Sequence, residues 1–255
     1  MKKKFEDVVR LSSFLRGPKG CPWDREQTLK TLRSFIVEEA YEVVQAIEED
    51  DTEELKEELG DLLYQVVFAS QICSEEGRFS VDDVVEQLYY KLIRRHPHVF
   101  GEESAKDAGE AVRKWHGEKL KEKTGEKGLL SIPRSMPALI RAQRVGEKAS
   151  HVGFDWRGIE EVMEKVEEEL NELKSAIKQG DQDSMEKEWG DLIFSLVNLG
   201  RFLKLDAELC THRAVDKFVD RFQRMEKKVK EMGKDICELS EEEMDKLWEE
   251  VKKEL

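Results

Sequence analysis

The sequence predicts an all-α protein made of two related helical units. Three observations carry that expectation. Apolar residues recur three and four positions apart along most of the chain, the spacing of one helix face. No alternating strand pattern and no nucleotide-type glycine-rich loop occurs. One acidic stretch appears twice: Glu38-Glu39-Ala40-Tyr41-Glu42 with Glu58-Leu59-Gly60-Asp61, then Glu168-Glu169-Leu170-Asn171-Glu172 with Glu188-Trp189-Gly190-Asp191. The offset is 130 residues throughout, and eleven of thirty-three aligned residues match between positions 37–69 and their partners, which makes duplication the simplest account.

In chain order, Phe5, Val8, Val9 and Leu15 mark a short amphipathic helix ending at Gly17-Pro18. The loop 17–24 is rich in helix breakers, and Asp24 with Gln27 resembles a capping box for a helix over 25–49. A turn at Asp50-Asp51 leads to a helix over 52–76, stopped at Gly77. Ser80 caps a fourth helix that ends at Pro97, and Ser104 caps a fifth that carries Trp115 and Lys119. The second unit repeats the scheme, with helices over 138–150, 158–178, 183–203 and 207–231. Ser240 with Glu243 caps a last helix that holds Trp248 and Lys252. The expected division is a first domain over 1–123, a linker over 124–137 and a second domain over 138–255.

Composition narrows the function. With 39% hydrophobic residues in 255, the chain can build modest cores but has no apolar run long enough to span a bilayer. The start Met1-Lys2-Lys3-Lys4-Phe5-Glu6 lacks the apolar stretch of a signal peptide, so a cytoplasmic protein is expected. A net charge of −14 argues against long nucleic acids, which need a basic face, but leaves room for small phosphates held through a metal. Cys21, Cys73, Cys210 and Cys237 are far apart and suggest neither a zinc site nor a disulfide framework.

The acids carry the chemistry. Glu39 with Glu42, and Glu58 with Asp61, share helix faces, and a short turn would set the two pairs against each other across a seam. Asp61 opens the apolar run to Phe68, so the cluster lies at the edge of a buried face. Carboxylates there repel one another and lose hydration, and a hard divalent cation removes the conflict. Gly60 and Gly190, at equivalent mid-helix positions, are explained by close approach of another backbone or a ligand. A di-iron carboxylate site is a poor alternative. It uses Glu-x-x-His, whereas the five histidines have Ile93, Arg95, Arg113, Lys148 and Leu209 three residues before them. A non-catalytic helical interaction protein is the alternative from another class. His96 and His98, flanking Pro97, read as helix-terminal cations.

Glu-Glu-x-x-Glu followed by Glu-x-x-Asp resembles the MazG family of nucleoside triphosphate pyrophosphohydrolases. Gly20-Cys21-Pro22-Trp23-Asp24, the run Arg94 to Phe100, and Gly153-Phe154-Asp155-Trp156 strengthen the resemblance, which covers nearly the whole chain. It implies four-helix-bundle-like domains completed by homodimerisation. It also implies Mg²⁺-dependent hydrolysis of a broad range of NTPs to NMP and pyrophosphate, with Mn²⁺ as a substitute metal, in nucleotide house-cleaning or pool control. By the same resemblance, Glu39, Glu42, Glu58 and Asp61 hold Mg²⁺ in the first unit, and Glu169, Glu172, Glu188 and Asp191 in the second. Glu38 and Glu168, one residue off that face, are expected to orient the attacking water or to serve a second metal. Lys91, Arg94, Arg95 and Lys119 would neutralise phosphates, as would Lys217, Arg221 and Lys252. Trp115 and Trp248 would stack on a base, while Trp23 and Trp156 read as loop anchors or pocket lids. Both units are expected to bind metal. The denser cations of the first, and Lys187 where the first has Glu57, tilt the expectation towards the first unit as the working one. Asn198, in place of Phe68, offers the second unit a hydrogen bond to sugar or base.

Overall fold

The computed structural model describes residues 2–121 and 130–253, with the side chains of residues 116, 120 and 121 also outside the description. The expected linker therefore lies outside the described residues as far as 129, and 130–137 carry no helix. Twelve α-helices and no strand occur among the described residues, so the protein is all-α as expected. None of these helices is long and apolar enough to cross a membrane. The chain forms two compact units, Met1–Glu118 and Lys119–Leu255.

In the first unit, α1 (Phe5–Arg16), α3 (Leu32–Glu48) and α5 (Val81–Arg95) pack on a central helix, α4 (Thr52–Glu75). Helices α3 and α4 form a hairpin whose turn uses two devices. Asp50 takes a left-handed backbone (φ 54°), and the Asp51 carboxylate accepts the Glu53 and Glu54 amides at 3.0 Å each. Helix α4 is central because it is apolar on more than one side: Gln65, Phe68 and Ile72 are buried on one stripe, Val67 and Ser70 on others. Leu32, Phe68 and Ile72 form the core, with Phe35 and Tyr64 packed against it.

Two start sites differ from the sequence expectation. Asp24 does not cap a long helix; it lies inside a short one, α2 (Pro22–Glu26), that begins at Pro22 because proline's fixed φ suits the first helical turn. Residues 27–31 then interrupt the chain before α3. The loop holds its shape through Arg16, whose Nη1 donates to the Asp24 and Gln27 carbonyls at 2.5 and 3.2 Å. The same guanidinium grips Glu75 and lies over the Phe68 ring. Gly20 permits this path, since a Cβ there would overlap the Leu15 carbonyl. Likewise Ser104 does not cap the helix bearing Trp115. That helix, α7 (Ala108–Lys121), starts three residues later, where the Asp107 carboxylate accepts the Glu110 amide at 2.8 Å. A single turn, α6 (Pro97–Phe100), follows α5, and His96 at their junction sets Nδ1 2.6 Å from the Leu92 carbonyl, as a helix-terminal residue does.

The second unit repeats the plan. Helices α8 (Ala138–Ser150), α9 (Ile159–Gln179) and α11 (Ala207–Glu231) pack on α10 (Gln182–Phe202), and α12 (Glu241–Lys253) packs on α11. The α9–α10 turn again pairs a left-handed residue, Gly180 (φ 68°), with an aspartate cap, Asp181. The Ser240–Glu243 capping box is present, with Ser240 Oγ accepting the Glu243 amide at 3.3 Å.

Phe68 is 2% exposed and anchors both the core and Arg16. Phe68→Ala should cost about 3–5 kcal/mol, read as a lower denaturation midpoint of the first unit in urea.

Candidate functional site

Each helical hairpin brings its acids together at the seam. In the first unit, Glu39 from α3 and Glu58 and Asp61 from α4 place oxygens within 4.8 Å of one another. Glu42 and Glu38, both exposed, are not in that group. The Gln65 amide, itself buried, donates Nε2 to Glu39 Oε1 at 3.1 Å, while its own Oε1 is buried without a partner among the described residues. Burial, then the neighbouring carboxylates Asp61, Glu42 and Glu38, push the Glu39 carboxyl above the usual range against the pull of Gln65. Glu58 is raised too, by desolvation first and then chiefly by Glu42 and Glu54.

In the second unit the group is Glu169 and Glu172 from α9 with Glu188 from α10, again within 4.8 Å, and Asp191 stands outside it. Glu169 is only 5% exposed, and its Oε2 has no partner among the described residues. Its Oε1 meets Lys165 Nζ at 2.7 Å, and the same ammonium reaches Glu168 at 2.8 Å. Lys187 lies 2.9 Å from Glu188, an exposed ammonium on a largely covered carboxylate. A hydrogen bond to Glu188 is the first cause raising Glu172, while Lys187 is the first cause lowering Glu188. Lys187 was marked beside Glu188 in the sequence but Lys165 was missed, although Lys165 lies one turn before Glu169, the signal that would have found it.

Beside the second cluster opens a cavity of about 430 Å³. Lys165, Glu169, Asp191, Asn198 and Arg201 supply its polar wall. Phe154 and Trp156, from the loop before α9, supply an aromatic side. Arg201 holds that loop: Nη1 donates to Asp155 Oδ2 at 2.9 Å and Nη2 to Oδ1, which keeps Asp155 ionised below its usual range. Asn198 is buried, donates Nδ2 to the Phe194 carbonyl at 3.2 Å, and keeps its Oδ1 where a Cβ on Gly146 would come within 2.5 Å. The helix α8 thus needs glycine there for Asn198 to sit as it does.

At the matching positions of the first unit, Phe35 stands for Lys165, Tyr64 for Phe194 and Phe68 for Asn198. Those aromatic rings belong to the first unit's core. The described cavity there, about 340 Å³, lies elsewhere, between α3, α4 and the start of α5, and is lined mainly by apolar side chains with Gln65 on its wall.

The remaining expected residues form separate patches. Arg95 lies over the Trp115 ring at 5.2 Å, and Lys91 and Arg94 share its helix α5. On α11 and α12, Trp248 packs on Phe218 with centroids 5.0 Å apart, and Lys252 pairs with Glu249 at 2.6 Å. Arg221 buries Nε without a partner among the described residues, and Lys217 is exposed. Lys119 lies at the end of α7. Trp23 meets Phe35 edge-on at 6.0 Å, a loop anchor. A Cβ at Gly60 or Gly190 would meet nothing within 4 Å, so the expected close approach of a described backbone is not what places glycine there.

Comparison with known proteins follows the same two segments. The model for the MazG nucleotide pyrophosphohydrolase domain matches residues 27–100 and 157–230. The chain is 46% identical to the nucleoside triphosphate pyrophosphohydrolase/pyrophosphatase MazG of Thermotoga maritima, over 97% of this chain and 95% of that one. It is 43% identical to the nucleoside triphosphate pyrophosphohydrolase of Escherichia coli K12, over 98% and 97%. A further relative, from Mycolicibacterium smegmatis, is 34% identical over 69% of this chain and 56% of that one.

The raised carboxyls have a measurable consequence. A carboxyl whose folded pKa exceeds its unfolded value binds its proton more tightly when folded. Its charge therefore destabilises the fold as pH rises through the unfolded and then the folded value, and costs nothing below both. Glu39→Gln, which still accepts from Gln65, should melt a few degrees above the wild type at neutral pH in chelator. The gap should close as pH falls below the carboxylate range; a gap independent of pH would contradict the assignment.

Proposed function

This chain belongs to the MazG nucleotide pyrophosphohydrolase family and is itself a nucleoside triphosphate pyrophosphohydrolase, and we propose that its second unit holds the nucleotide and cleaves it between the α and β phosphates. One observation carries this reading: the cavity of the second unit is walled by carboxylates, an ammonium, a buried amide and aromatic rings. Such a wall suits a nucleoside with its phosphates turned towards the acids. The first unit has the acids but fills the matching space with Phe35 and Phe68. This shifts the weight from the first unit, which the denser surface cations favoured, to the second.

The donor set fits a hard divalent cation. Hard oxygen ligands cluster within 4.8 Å, and Glu169 and Glu188 each bury an oxygen that no described group satisfies. Glu169, Glu172, Glu188 and Asp191 would hold Mg²⁺, with Mn²⁺ as a substitute, and Glu39, Glu42, Glu58 and Asp61 would do so in the first unit. When bound, the metal neutralises charge on the phosphoryl oxygens and on the departing pyrophosphate. Lys165 and Lys187 lie at the acids and turn to phosphate oxygens when a triphosphate enters. Glu168, held by Lys165, accepts the proton of a water that adds to the α-phosphorus as the bond to the β-phosphate oxygen breaks. Asn198 meets the sugar or base. Phe154 and Trp156 exclude water from the nucleoside, with Arg201 and Asp155 fixing their loop.

Assembly follows from the surface. Val37, Leu59, Leu63 and Val66 along the α3–α4 hairpin, and Val215 and Phe218 on α11, are exposed. Apolar helix faces of that extent are covered by a second copy in a homodimer.

Incubation with each NTP and Mg²⁺ should yield NMP and pyrophosphate from several of them; NDP and orthophosphate would overturn the reading. Glu169→Gln with Glu172→Gln should lower turnover by at least about a hundredfold, and Glu39→Gln with Glu42→Gln by far less. The reverse order would return catalysis to the first unit. Sedimentation should give a dimer at micromolar concentration, and a stable monomer would remove the assembly.

A further inference from the structure

The two acid clusters share their carboxylates but not their counter-charges. In the second unit, Lys165 Nζ bridges Glu169 and Glu168 at 2.7 and 2.8 Å, and Lys187 lies on Glu188 at 2.9 Å. The first unit has Phe35 and Glu57 at those two positions. Phe35 turns to the core, and Glu39 is held by the neutral Gln65 amide. Each cluster also contains a buried oxygen that no described group satisfies, Gln65 Oε1 in one and Glu169 Oε2 in the other, so neither is merely a solvated acidic surface.

We propose that Lys165 is a tethered counter-cation that keeps a divalent metal off the second unit's acids until a triphosphate arrives, whereas the first unit's acids take the metal by themselves. This rests on the reading of both clusters as metal sites. A metal ion approaching Glu169 alone meets an ammonium already seated on Oε1, and like charges at contact distance repel. The lysine stem is long and flexible, so the ammonium can leave, but only for another anion of comparable strength. Phosphate oxygens provide one beside the same acids. Metal and nucleotide therefore enter the second unit together, and each raises the other's affinity by the same factor, as linkage requires. At the two matching positions of the first unit, Phe35 carries no charge and Glu57 adds a negative one.

The test counts bound Mn²⁺ on the full chain by the electron paramagnetic resonance of the free ion, so it needs no turnover. With Mn²⁺ alone, the wild type should show one class of tight site, removed by Glu39→Gln and kept in Glu169→Gln. Adding an NTP analogue with a methylene bridge between the α and β phosphates should bring in a second class, removed by Glu169→Gln. Lys165→Met should show that second class without the analogue, with its affinity for Mn²⁺ alone raised at least about tenfold. Lys165→Gln should do the same, which guards against a folding defect peculiar to one variant. Two wild-type classes filled equally without analogue, or no gain in either lysine variant, would overturn the role of Lys165. A missing metal-only site in the first unit would overturn the contrast between units. Mn²⁺ binding that neither Glu39→Gln nor Glu169→Gln alters, with or without analogue, would instead remove the metal-site reading and this proposal with it.

Discussion

Everything about this protein follows from crowding carboxylates at the seam of a helical hairpin. The hairpins close because apolar stripes on α3 and α4, and on α9 and α10, must leave water. The turn that closes them also brings the acids of the two helices within a few ångströms. The chain relieves the resulting repulsion differently in each unit. In the first, Glu39 leans on a buried glutamine and Asp61 remains in solvent. In the second, where Glu169 is buried, relief comes from Lys165 on Glu169 and Lys187 on Glu188. Deeper burial makes an uncompensated charge costlier, so the more buried cluster carries the cations.

Duplication followed by divergence separates the two units at a few side chains. Phe68 against Asn198 matters most. Phenylalanine completes a core with Leu32 and Ile72, and supports Arg16. Asparagine cannot fill that volume, and its amide must find partners, which it does partly through the Phe194 carbonyl beside glycine in α8. A cavity results where the first unit has packing. Packing and open space compete for the same volume, and each unit has taken one of them.

An arginine on the bundle ties down the loop before the acidic helix in both units, yet the arginines are not equivalent by the repeat. Arg16 comes from α1 and reaches Glu75 and the carbonyls of the loop; Arg201 comes from α10 and reaches Asp155 within it. The shared need is to hold the loop's aromatic side chains, Trp23 on Phe35 in one case and Phe154 with Trp156 along the cavity in the other. An arginine fork supplies that through several directional hydrogen bonds at once.

The all-α class, the duplicated hairpins, the helix ends at Asp51, Ser80, Asp181 and Ser240, and the gathering of acids at each seam were legible in the sequence. They depend on local periodicity, capping chemistry and a constant offset, all of which are properties of neighbouring residues. The short helix at Pro22 and the cap at Asp107 were missed because several capping residues stood close together, and only the tertiary path of the chain chose between them. All four acids of each seam were expected to meet, whereas side-chain direction and burial grouped Glu39 with Glu58 and Asp61, but Glu169 with Glu172 and Glu188. The cavity of the second unit arises from residues dozens of positions apart and from volume left unfilled. No linear pattern records empty space or a contact across a bundle, so those were decided only when the helices packed.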